Sequence, residues 1–312
     1  MSSPRVSVVM AAYNAERTIE EALSSLVEQT VKPFEIIVVD DGSSDGTAEL
    51  VRRFQPEGVE VRLLTQTNAG PSAARNHGIR EVRGELTAFM DADDWSLPWR
   101  FEHQLRLAKA FPKAGAMLCG IAMDEDQACQ EPAFCLDKVQ VLTLLDFAAS
   151  DNLGGTGASI TRTEALREVG GFDPRLWNGE DYELWTRIVA RYPVVRYTNP
   201  MLRVRHEPES LSSSFDRAFP QVTTLMYKVF GENGVFKDHQ HYARVLKAHQ
   251  YDHLSWMAFR EGKRVTAVRL LGTSWYNTLM GRLRLPKANY PDGHLPLLVR
   301  YLVGKPPEPG EI

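Results

Sequence analysis

Three carboxylates end an apolar run in the stretch Leu86-Thr87-Ala88-Phe89-Met90-Asp91-Ala92-Asp93-Asp94. Residues 86–90 form a short, largely apolar run bounded by polar residues, a pattern that predicts a buried β-strand. Carboxylates this close together repel one another unless a cation or the hydrogen-bond donors of a ligand compensate their charge. The strand end therefore predicts a metal site.

The segments around this strand alternate between strand and helix patterns. Apolar runs predict three more strands, at 6–11, 34–39 and 59–64. Apolar residues at helical spacing predict three helices, after Asn14, at 48–54 and from Pro98. This alternation is typical of an α/β fold, in which a mostly parallel sheet is flanked by helices. Ligands bind beyond the carboxyl ends of such strands, where Tyr13, Asp40 and Asp91 fall.

Composition is that of an ordinary globular protein. The chain has 312 residues, 43% hydrophobic and 24% charged, enough for one large core and a smaller appendage. The net charge of -4 gives no overall basic field, so no nucleic-acid partner is expected. The cysteines are odd in number and lack the close paired spacing of a zinc or redox site, so neither a disulfide framework nor a zinc site is indicated and a reducing compartment is favoured. Without a secretory signal or a long apolar run, a cytoplasmic location is predicted.

A change of pattern near residue 213 predicts two regions. Residues 1–213 hold the alternating strands and helices, whereas residues 214–312 show helical spacing and end in a Pro- and Glu-rich tail that is expected to be disordered. Cations and aromatic residues are interleaved near the end, namely Arg282, Arg284, Lys287, Arg300 and Lys305 with Trp275, Tyr276, Tyr290 and Tyr301. Such a surface can contact an anionic membrane. A solvated helix face or a dimer contact is the favoured alternative.

Seven segments resemble, in order and approximate spacing, the motifs of family 2 glycosyltransferases, which have the Rossmann-like GT-A fold. The segments are VVMAAYN at 8–14, IIVVDDGSSDGT at 36–47, NAGPSAARNHG at 68–78, FMDADD at 89–94, GGFD at 170–173, GEDYELW at 179–185 and RH at 205–206. The ordered set is far more specific than any one segment. The resemblance implies an inverting enzyme that moves a sugar from a nucleotide-sugar donor to a glycan or lipid-linked acceptor, in cell-surface glycan assembly.

The resemblance assigns nucleotide binding to six residues, namely Ala12, Tyr13, Asn14, Asp40, Arg75 and Asp91. In similar enzymes the Asp that matches Asp40 contacts uracil, which favours a UDP-sugar, and a carboxylate accepts a base N–H well. Asp40 can instead only cap the turn containing Ser43. Tyr13 matches the residue against the base, with packing at a strand end as the alternative. Arg75 can pair with phosphate, hold Asp91, or form a plain surface ion pair.

The resemblance assigns Asp93 to a divalent cation bound to the diphosphate, and His206 to the same metal site. Mg²⁺ and Mn²⁺ both favour oxygen ligands, and an imidazole ligand tilts the preference toward Mn²⁺. Asp94 can cap the next segment instead, and an isolated His is often structural. The predicted cofactor is therefore Mn²⁺ or Mg²⁺.

The resemblance assigns Asp181 as the general base that accepts the proton of the acceptor hydroxyl, with Glu180 as a neighbour that orients the site. Acidic residues are also favoured in a first helical turn, so Asp181 can have a structural role alone. In either role the helix dipole is expected to lower the pKa of Asp181. Trp95, Trp99 and Trp177 flank these elements and offer indole faces to sugar rings, although core packing is the usual role of Trp.

Three other functions are weighed against this interpretation. A haloacid-dehalogenase-type phosphatase needs a nucleophilic Asp where this chain has Ser43. A nucleotidyltransferase usually has a Gly-rich, basic loop after its first strand, where this chain has residues 13–16, Tyr-Asn-Ala-Glu. A non-catalytic sugar-nucleotide-binding or scaffold protein stays open until turnover is measured. The chain has no Gln-x-x-Arg-Trp motif or membrane helix, which favours single additions over processive synthesis.

Overall fold

A computed structural model describes residues 5–122, 133–149, 155–205 and 215–282. Contacts divide the chain into two compact units, one of residues 1–143 with 154–206 and one of residues 144–153 with 207–312. The predicted metal ligand His206 lies outside the described residues. So do residues 283–312, which hold most of the predicted basic and aromatic surface.

The described residues form nine strands, all in the first unit. They are Val6–Ala12 (β1), Glu35–Asp40 (β2), Glu60–Thr65 (β3), Leu86–Asp91 (β4), Trp95–Ser96 (β5), Ala116–Ala122 (β6), Val139–Leu142 (β7), Ser159–Arg162 (β8) and Val194–Arg203 (β9). The α-helices are Ile19–Val27 (α1), Thr47–Arg53 (α2), Pro71–Glu81 (α3), Arg100–Ala110 (α4), Leu144–Ala149 (α5), Thr163–Glu168 (α6), Glu180–Val189 (α7), Phe215–Phe230 (α8), Ala243–Arg260 (α9) and Arg264–Arg282 (α10). Helices α5, α8, α9 and α10 belong to the second unit.

One sheet carries all nine strands, in the order β3-β2-β1-β4-β8-β6-β9-β5, with β7 paired to β9. The first four strands pair in parallel, and the predicted α/β fold is confirmed. Beyond β4 the sheet is mixed, since β8 runs antiparallel to both β4 and β6. The parallel half follows from the helical crossovers between successive strands, which return the chain to the same edge.

The predicted elements of the first 110 residues are confirmed to within a few residues at each end. Unbroken apolar runs explain the agreement for β1, β2 and β4, which are buried on both faces, whereas β3 is only partly buried. The sequence patterns do not identify β5 to β9. Three of these strands, β5, β7 and β8, have only two to four residues, too few for a period to be recognised.

Helix α3 packs directly on the centre of the sheet. A Cβ placed at Gly78 would lie 2.4 Å from Val9 Cγ1 of β1, so a side chain at this position would push the helix off the strand. Val9 itself is fully buried. This close approach matters because α3 also carries the polar side chains described below.

At the amino-terminal edge of the sheet, one buried carboxylate accepts several hydrogen bonds from neighbouring segments. Glu35 begins β2, its side chain is fully buried, and it accepts hydrogen bonds from Ser7 Oγ, Arg62 Nη1, Arg83 N and Arg83 Nε at 2.7, 3.2, 2.9 and 2.8 Å. Burial alone would raise the pKa of Glu35, but the bonds from Arg83, Ser7 and Arg62 outweigh it and lower the pKa. This carboxylate therefore stabilises the fold as an ion.

The second unit is helical in its described residues. Helices α8, α9 and α10 enclose a core of apolar side chains that includes Phe215, Val222, Leu254, Met257 and Leu271. These residues recur at helical spacing, as the sequence pattern predicts. None of the helices among the described residues is both long enough and apolar enough to span a bilayer.

Replacing Glu35 by Gln should lower the free energy of unfolding by about 1–3 kcal/mol at pH 7, because a neutral amide cannot replace the buried carboxylate that accepts from Ser7, Arg62 and Arg83. Urea unfolding followed by circular dichroism measures this loss. Because the folded-state pKa of Glu35 is lowered, the stabilisation is complete above the ordinary carboxyl range and disappears as the pH falls through that lowered pKa. The two proteins should therefore converge in acid.

The matched control is Glu49→Gln on α2, where the carboxylate pairs with Arg53 and both side chains are more than half exposed. Its unfolding midpoint should stay close to that of the wild type, since exposed pairs contribute little. Equal losses for the two variants would show that the buried Glu35 network has no special weight.

Candidate functional site

The carboxyl ends of β1, β2 and β4 lie side by side at one edge of the sheet. Ala12 of β1 pairs with Asp40 of β2, and Ala11 pairs with Asp91 of β4. Because the three strands are parallel, the loops that follow them open on the same side. The structure thus brings together the strand ends that carry Tyr13, Asp40 and Asp91.

Asn14 ties the loop after β1 to the loop after β2. Its backbone N–H donates to Ser43 Oγ at 2.9 Å, and its side-chain Oδ1 accepts from Ser44 N at 2.9 Å. Its φ of 51° lies in the left-handed region, which asparagine tolerates better than most residues. The ring of the preceding residue, Tyr13, is 55% exposed. An aromatic face is therefore accessible at the end of β1.

Asp40 and Asp41 are both buried, but they differ in how fully their oxygens are used. Asp41 accepts three hydrogen bonds from the loop after β3, from Gln66 Nε2 at 2.8 Å, Ala69 N at 2.9 Å and Gly70 N at 2.8 Å. Asp40 Oδ1 accepts from Ser43 N at 3.1 Å, and no other side-chain bond to Asp40 is found among the described residues. Asp41 is thus a structural anchor, and Asp40 retains accepting capacity for a ligand.

The acidic turn, residues 91–94, crowds its carboxylates. Asp94 is buried, and its Oδ1 accepts a hydrogen bond from Arg205 N at 3.2 Å. Burial, followed by the negative charges of Asp91 and Asp93, raises the pKa of Asp94 to about 8. A Cβ placed at Gly157 would lie 3.5 Å from Asp94 Oδ2 and 3.6 Å from Asp91 Oδ2. Both carboxylates therefore approach the same small stretch of backbone.

This crowding fits a divalent cation, because oxygen ligands suit Mg²⁺ and Mn²⁺ and the added charge relieves the repulsion. Within the described ranges, no three His, Cys, Asp or Glu side chains are grouped so that they could hold a metal ion by themselves. The chemistry of the acidic turn therefore suits a cation that also takes ligands from a bound molecule or from water.

The guanidinium of Arg75 bridges two carboxylates from different elements. Nη2 donates to Asp91 Oδ1 and Nη1 donates to Glu180 Oε1, both at 2.8 Å, while the guanidinium carbon lies 5.4 Å from the ring centre of Phe172. Arg75 is buried; burial acts to lower its pKa, but the charges of Asp91 and Glu180 outweigh burial and raise it. A plain surface ion pair, one of the predicted roles, does not describe this contact. Arg75 holds Asp91 in place.

Helix α3 also holds the loop that leads into α7. Ser72 Oγ donates to Leu176 O at 2.8 Å, and the amide of Asn76 both donates to Phe172 O and accepts from Phe172 N, at 2.7 and 2.8 Å. Sequence reasoning did not single out Ser72 and Asn76. Ser72 lies three residues before Arg75 and four before Asn76 on one helix, and this spacing was the available signal. One face of α3 therefore sets the position of α7.

Asp181 lies in the first turn of α7, directly after Glu180. Its Oδ1 accepts a hydrogen bond from Tyr182 N at 2.7 Å. Burial, followed by the charge of Glu180, raises the pKa of Asp181 to about 7. The prediction that the helix dipole lowers this pKa is wrong, because loss of solvent and a second carboxylate outweigh the dipole. A carboxylate with this pKa is suited to proton transfer near neutral pH.

The indole of Trp177 lies close to these carboxylates in sequence, and one of its faces packs against backbone. A Cβ placed at Gly70 would lie 3.0 Å from Trp177 Cε2, so the ring rests on the backbone that Asp41 anchors. The ring is 44% exposed. Trp95 is 40% exposed. Trp177 and Trp95 are therefore both partly accessible to solvent and are not core residues. Partly open indole faces of this kind suit the apolar faces of sugars.

Residues 7–128 match the family model described as Glycosyl transferase family 2. An uncharacterized glycosyltransferase of Escherichia coli (strain K12), YibD, is 39% identical over 107 residues, which are 34% of this chain and 31% of that protein. An uncharacterized glycosyltransferase of Rickettsia typhi is 27% identical over 268 residues, covering 76% of this chain and 83% of that protein. The chain thus spans 31% of the length of the E. coli relative and most of the Rickettsia relative.

Two solved structures share the fold. Residues 1–349 of S. aureus TarS superpose with a TM-score of 0.60 at 18% identity, covering 96% of this chain and 87% of that chain, and TarS has also been solved with UDP-GlcNAc. The mannosyltransferase PcManGT of Pyrobaculum calidifontis, solved with GDP-Man and Mn²⁺, gives a TM-score of 0.61 at 21% identity and covers 97% and 86%. Identities this low establish the shared fold alone.

Replacing Asp41 by Asn should lower the free energy of unfolding by about 1–3 kcal/mol, because an amide cannot accept from all three donors that this carboxylate satisfies. Asp40→Asn is the matched control, since the same change next door can keep the one bond from Ser43 N. Its loss should be clearly smaller. Urea unfolding at pH 7 compares the two, and the opposite order would contradict the division of roles between Asp40 and Asp41.

Proposed function

Because residues 7–128 match the model of glycosyl transferase family 2, we propose that the chain transfers a sugar from a nucleotide-sugar donor to an acceptor hydroxyl. One observation carries the proposal: the Arg75 guanidinium joins Asp91, at the end of the acidic turn's strand, to Glu180, at the start of α7. A site for a charged leaving group and a site for a base are thereby held on either side of one cation.

The proposed donor is a UDP-sugar. Asp40 supports this choice, because its carboxylate accepts few bonds from the protein and can take the N–H of uracil. The exposed ring of Tyr13 can stack on the base, while Ala12 and Asn14 shape the same loop. Asp91 would contact the ribose.

The proposed cofactor is Mn²⁺ or Mg²⁺, held by Asp93 in the acidic turn, with His206 as a second protein ligand. A bound cation of this kind stabilises negative charge on a departing diphosphate. The protein's part is to keep several carboxylates close together in a partly desolvated turn, which the raised pKa of Asp94 reflects. Arg75 contributes by tying Asp91 to α3, so that the turn keeps its place when the ligand is absent.

Asp181 is the proposed base. A carboxylate at this position accepts the proton of the acceptor hydroxyl as that oxygen attacks the anomeric carbon. Attack from the face opposite the diphosphate inverts the anomeric centre in one step, without a covalent intermediate. Burial, and then the negative charge of Glu180, which Arg75 holds in place, raises the pKa of Asp181 into the working range.

The proposed acceptor is a growing cell-surface glycan or a lipid-linked saccharide, extended by one sugar at a time. The indoles of Trp177 and Trp95 support a sugar-containing acceptor, since both are partly exposed and the Trp177 ring lies against Gly70. A non-catalytic sugar-nucleotide-binding protein is the alternative. The raised pKa of Asp181 favours an enzyme, because a protein that only binds the donor has no use for a base.

The test is nucleotide release from a panel of UDP- and GDP-sugars with Mn²⁺ or Mg²⁺, in the presence of lipid-linked and free saccharide acceptors. The wild type should release nucleotide, and Asp181→Asn should lower the rate by about 10²–10⁴-fold because the base is lost. Donor binding, followed by thermal shift, should be retained. Asp238→Asn, at an exposed position of the second unit, is the control and should be as active as the wild type.

The pH dependence sharpens this test. Since the base works only when ionised and its pKa is raised, kcat/KM of the wild type should increase with pH through a midpoint near 7 and level off above it. The residual activity of Asp181→Asn should lack this limb. A limb near the ordinary carboxyl value would count against Asp181, and donor binding without any turnover would favour the non-catalytic protein.

We also propose that the protein contacts an anionic membrane surface, where a lipid-linked acceptor would lie. Helix α10 supports this: Trp275, Tyr276 and Leu279 are about half exposed, and the guanidinium of Arg244 lies 5.7 Å from the Tyr276 ring centre. Aromatic rings beside cations suit the interface of an anionic bilayer. A dimer contact is the competing use of this face.

Flotation with vesicles separates the two uses of α10. The wild type should bind phosphatidylglycerol-containing vesicles and should bind phosphatidylcholine vesicles much less, and the double change Trp275→Ser, Tyr276→Ser should reduce that binding. Size-exclusion chromatography with light scattering is run in parallel. If the wild type is a dimer that becomes a monomer on the same change while vesicle binding is unaltered, α10 contacts a second copy of the chain and not a membrane.

A further inference from the structure

Arg100, on α4, is a fully buried cation without a bonded anion among the described residues. Its Nη2 donates to Phe89 O and to Ser159 O, both at 3.1 Å, and its Nε donates to Gln104 Oε1 at 3.1 Å. Its Nη1 lies 3.7 Å from Met90 Sδ. Burying a guanidinium against neutral acceptors is unfavourable compared with an apolar side chain of similar size. The contacts it makes therefore need a further explanation.

The two carbonyls mark the point at which strands β4 and β8 separate. The antiparallel pairs run Leu86 with Arg162, Thr87 with Thr161 and Ala88 with Ile160, and then stop. The next pair would be Phe89 with Ser159, and there the Nη2 group of Arg100 binds both carbonyls instead. We call this point the β4–β8 fork. The guanidinium fills it and satisfies backbone acceptors that have left the ladder.

A second side chain of α4 also bonds to backbone carbonyls beside the fork. Gln104, one turn after Arg100, donates from Nε2 to Met117 O at 2.8 Å and to Ala158 O at 3.0 Å. The chain at 156–158 is thereby fixed inside the fork. Its central residue, Gly157, is the one that both Asp91 and Asp94 approach. The fork thus lies directly behind the acidic turn.

We propose that Arg100 is a positioning residue for the acidic turn: by holding the β4–β8 fork open, it fixes where the turn presents its carboxylates to a divalent cation that is bound together with a nucleotide. Only one residue, Met90, lies between Phe89 and Asp91, so a shift at the fork moves the turn. This inference rests on the proposed function, because it concerns the metal site of that same reaction.

Lysine cannot replace Arg100 in this role. The planar guanidinium reaches Phe89 O and Ser159 O from one nitrogen while another nitrogen binds Gln104, whereas an ammonium is a single point on a flexible stem. Arg100→Lys keeps the positive charge but loses the set of hydrogen bonds that fills the fork. It therefore separates geometry from charge, which Arg100→Met does not.

The experiment measures Mn²⁺ affinity by electron paramagnetic resonance, in the presence of UDP and, separately, of GDP. Arg100→Lys should weaken Mn²⁺ binding about 10–100-fold, the range found when residues that orient metal ligands are lost. Urea unfolding of each protein is recorded alongside. Glu35→Gln is the matched control, because it lowers stability at the opposite edge of the sheet and should leave Mn²⁺ affinity unchanged.

Each outcome decides the matter. A folded Arg100→Lys protein with wild-type Mn²⁺ affinity would show that the bonds of Arg100 at the fork serve folding alone. An equal loss of Mn²⁺ affinity in Glu35→Gln would show the same. If Arg100→Lys does not fold, Gln104→Leu gives the same readout with a smaller expected weakening, and unchanged affinity there overturns the inference. A wild type that binds no Mn²⁺ with either nucleotide would refute the proposed metal site itself, and this inference with it.

Discussion

One guanidinium, that of Arg75, holds the candidate site together. It lies between Asp91 and Glu180, two carboxylates that would repel each other at close range without a cation between them. Arg75 is on α3, which packs on β1 through Gly78. The end of β4 and the start of α7 are therefore both held in position relative to the centre of the sheet. The hydrogen bonds of Ser72 and Asn76 add a second attachment to the same loop.

The two edges of the sheet treat buried carboxylates in opposite ways. At the amino-terminal edge, Glu35 is surrounded by donors and its pKa is lowered. At the carboxyl edge, Asp94 and Asp181 are desolvated next to other carboxylates and their pKa values are raised. A satisfied carboxylate stabilises the fold, whereas an under-compensated one is a place for a cation or a proton. The proposed chemistry lies at the second edge for this reason.

Parts of the fold and site could be predicted because their signals are local. Strands β1 to β4 are apolar runs with turn residues after them, and an element of that kind identifies itself in a short window. Strands β7 and β8 could not be identified, since each has four residues and depends on partners far away in the chain. The contact of Arg75 with Glu180 spans 105 residues, and the fork at Arg100 joins three elements, so no spacing rule could reveal them.

The sequence by itself determined the α/β class, the loading of strand ends with polar residues and the resemblance that singled out Asp40, Asp93 and Asp181. It did so because hydrophobic periods and ordered motifs are properties of neighbouring residues. Only the tertiary structure decided that Asp41 is an anchor and Asp40 is not, that Arg75 joins Asp91 to Glu180, and that the pKa of Asp181 is raised and not lowered. Those outcomes depend on desolvation and on charges brought close by folding, and both are set in space and not along the chain.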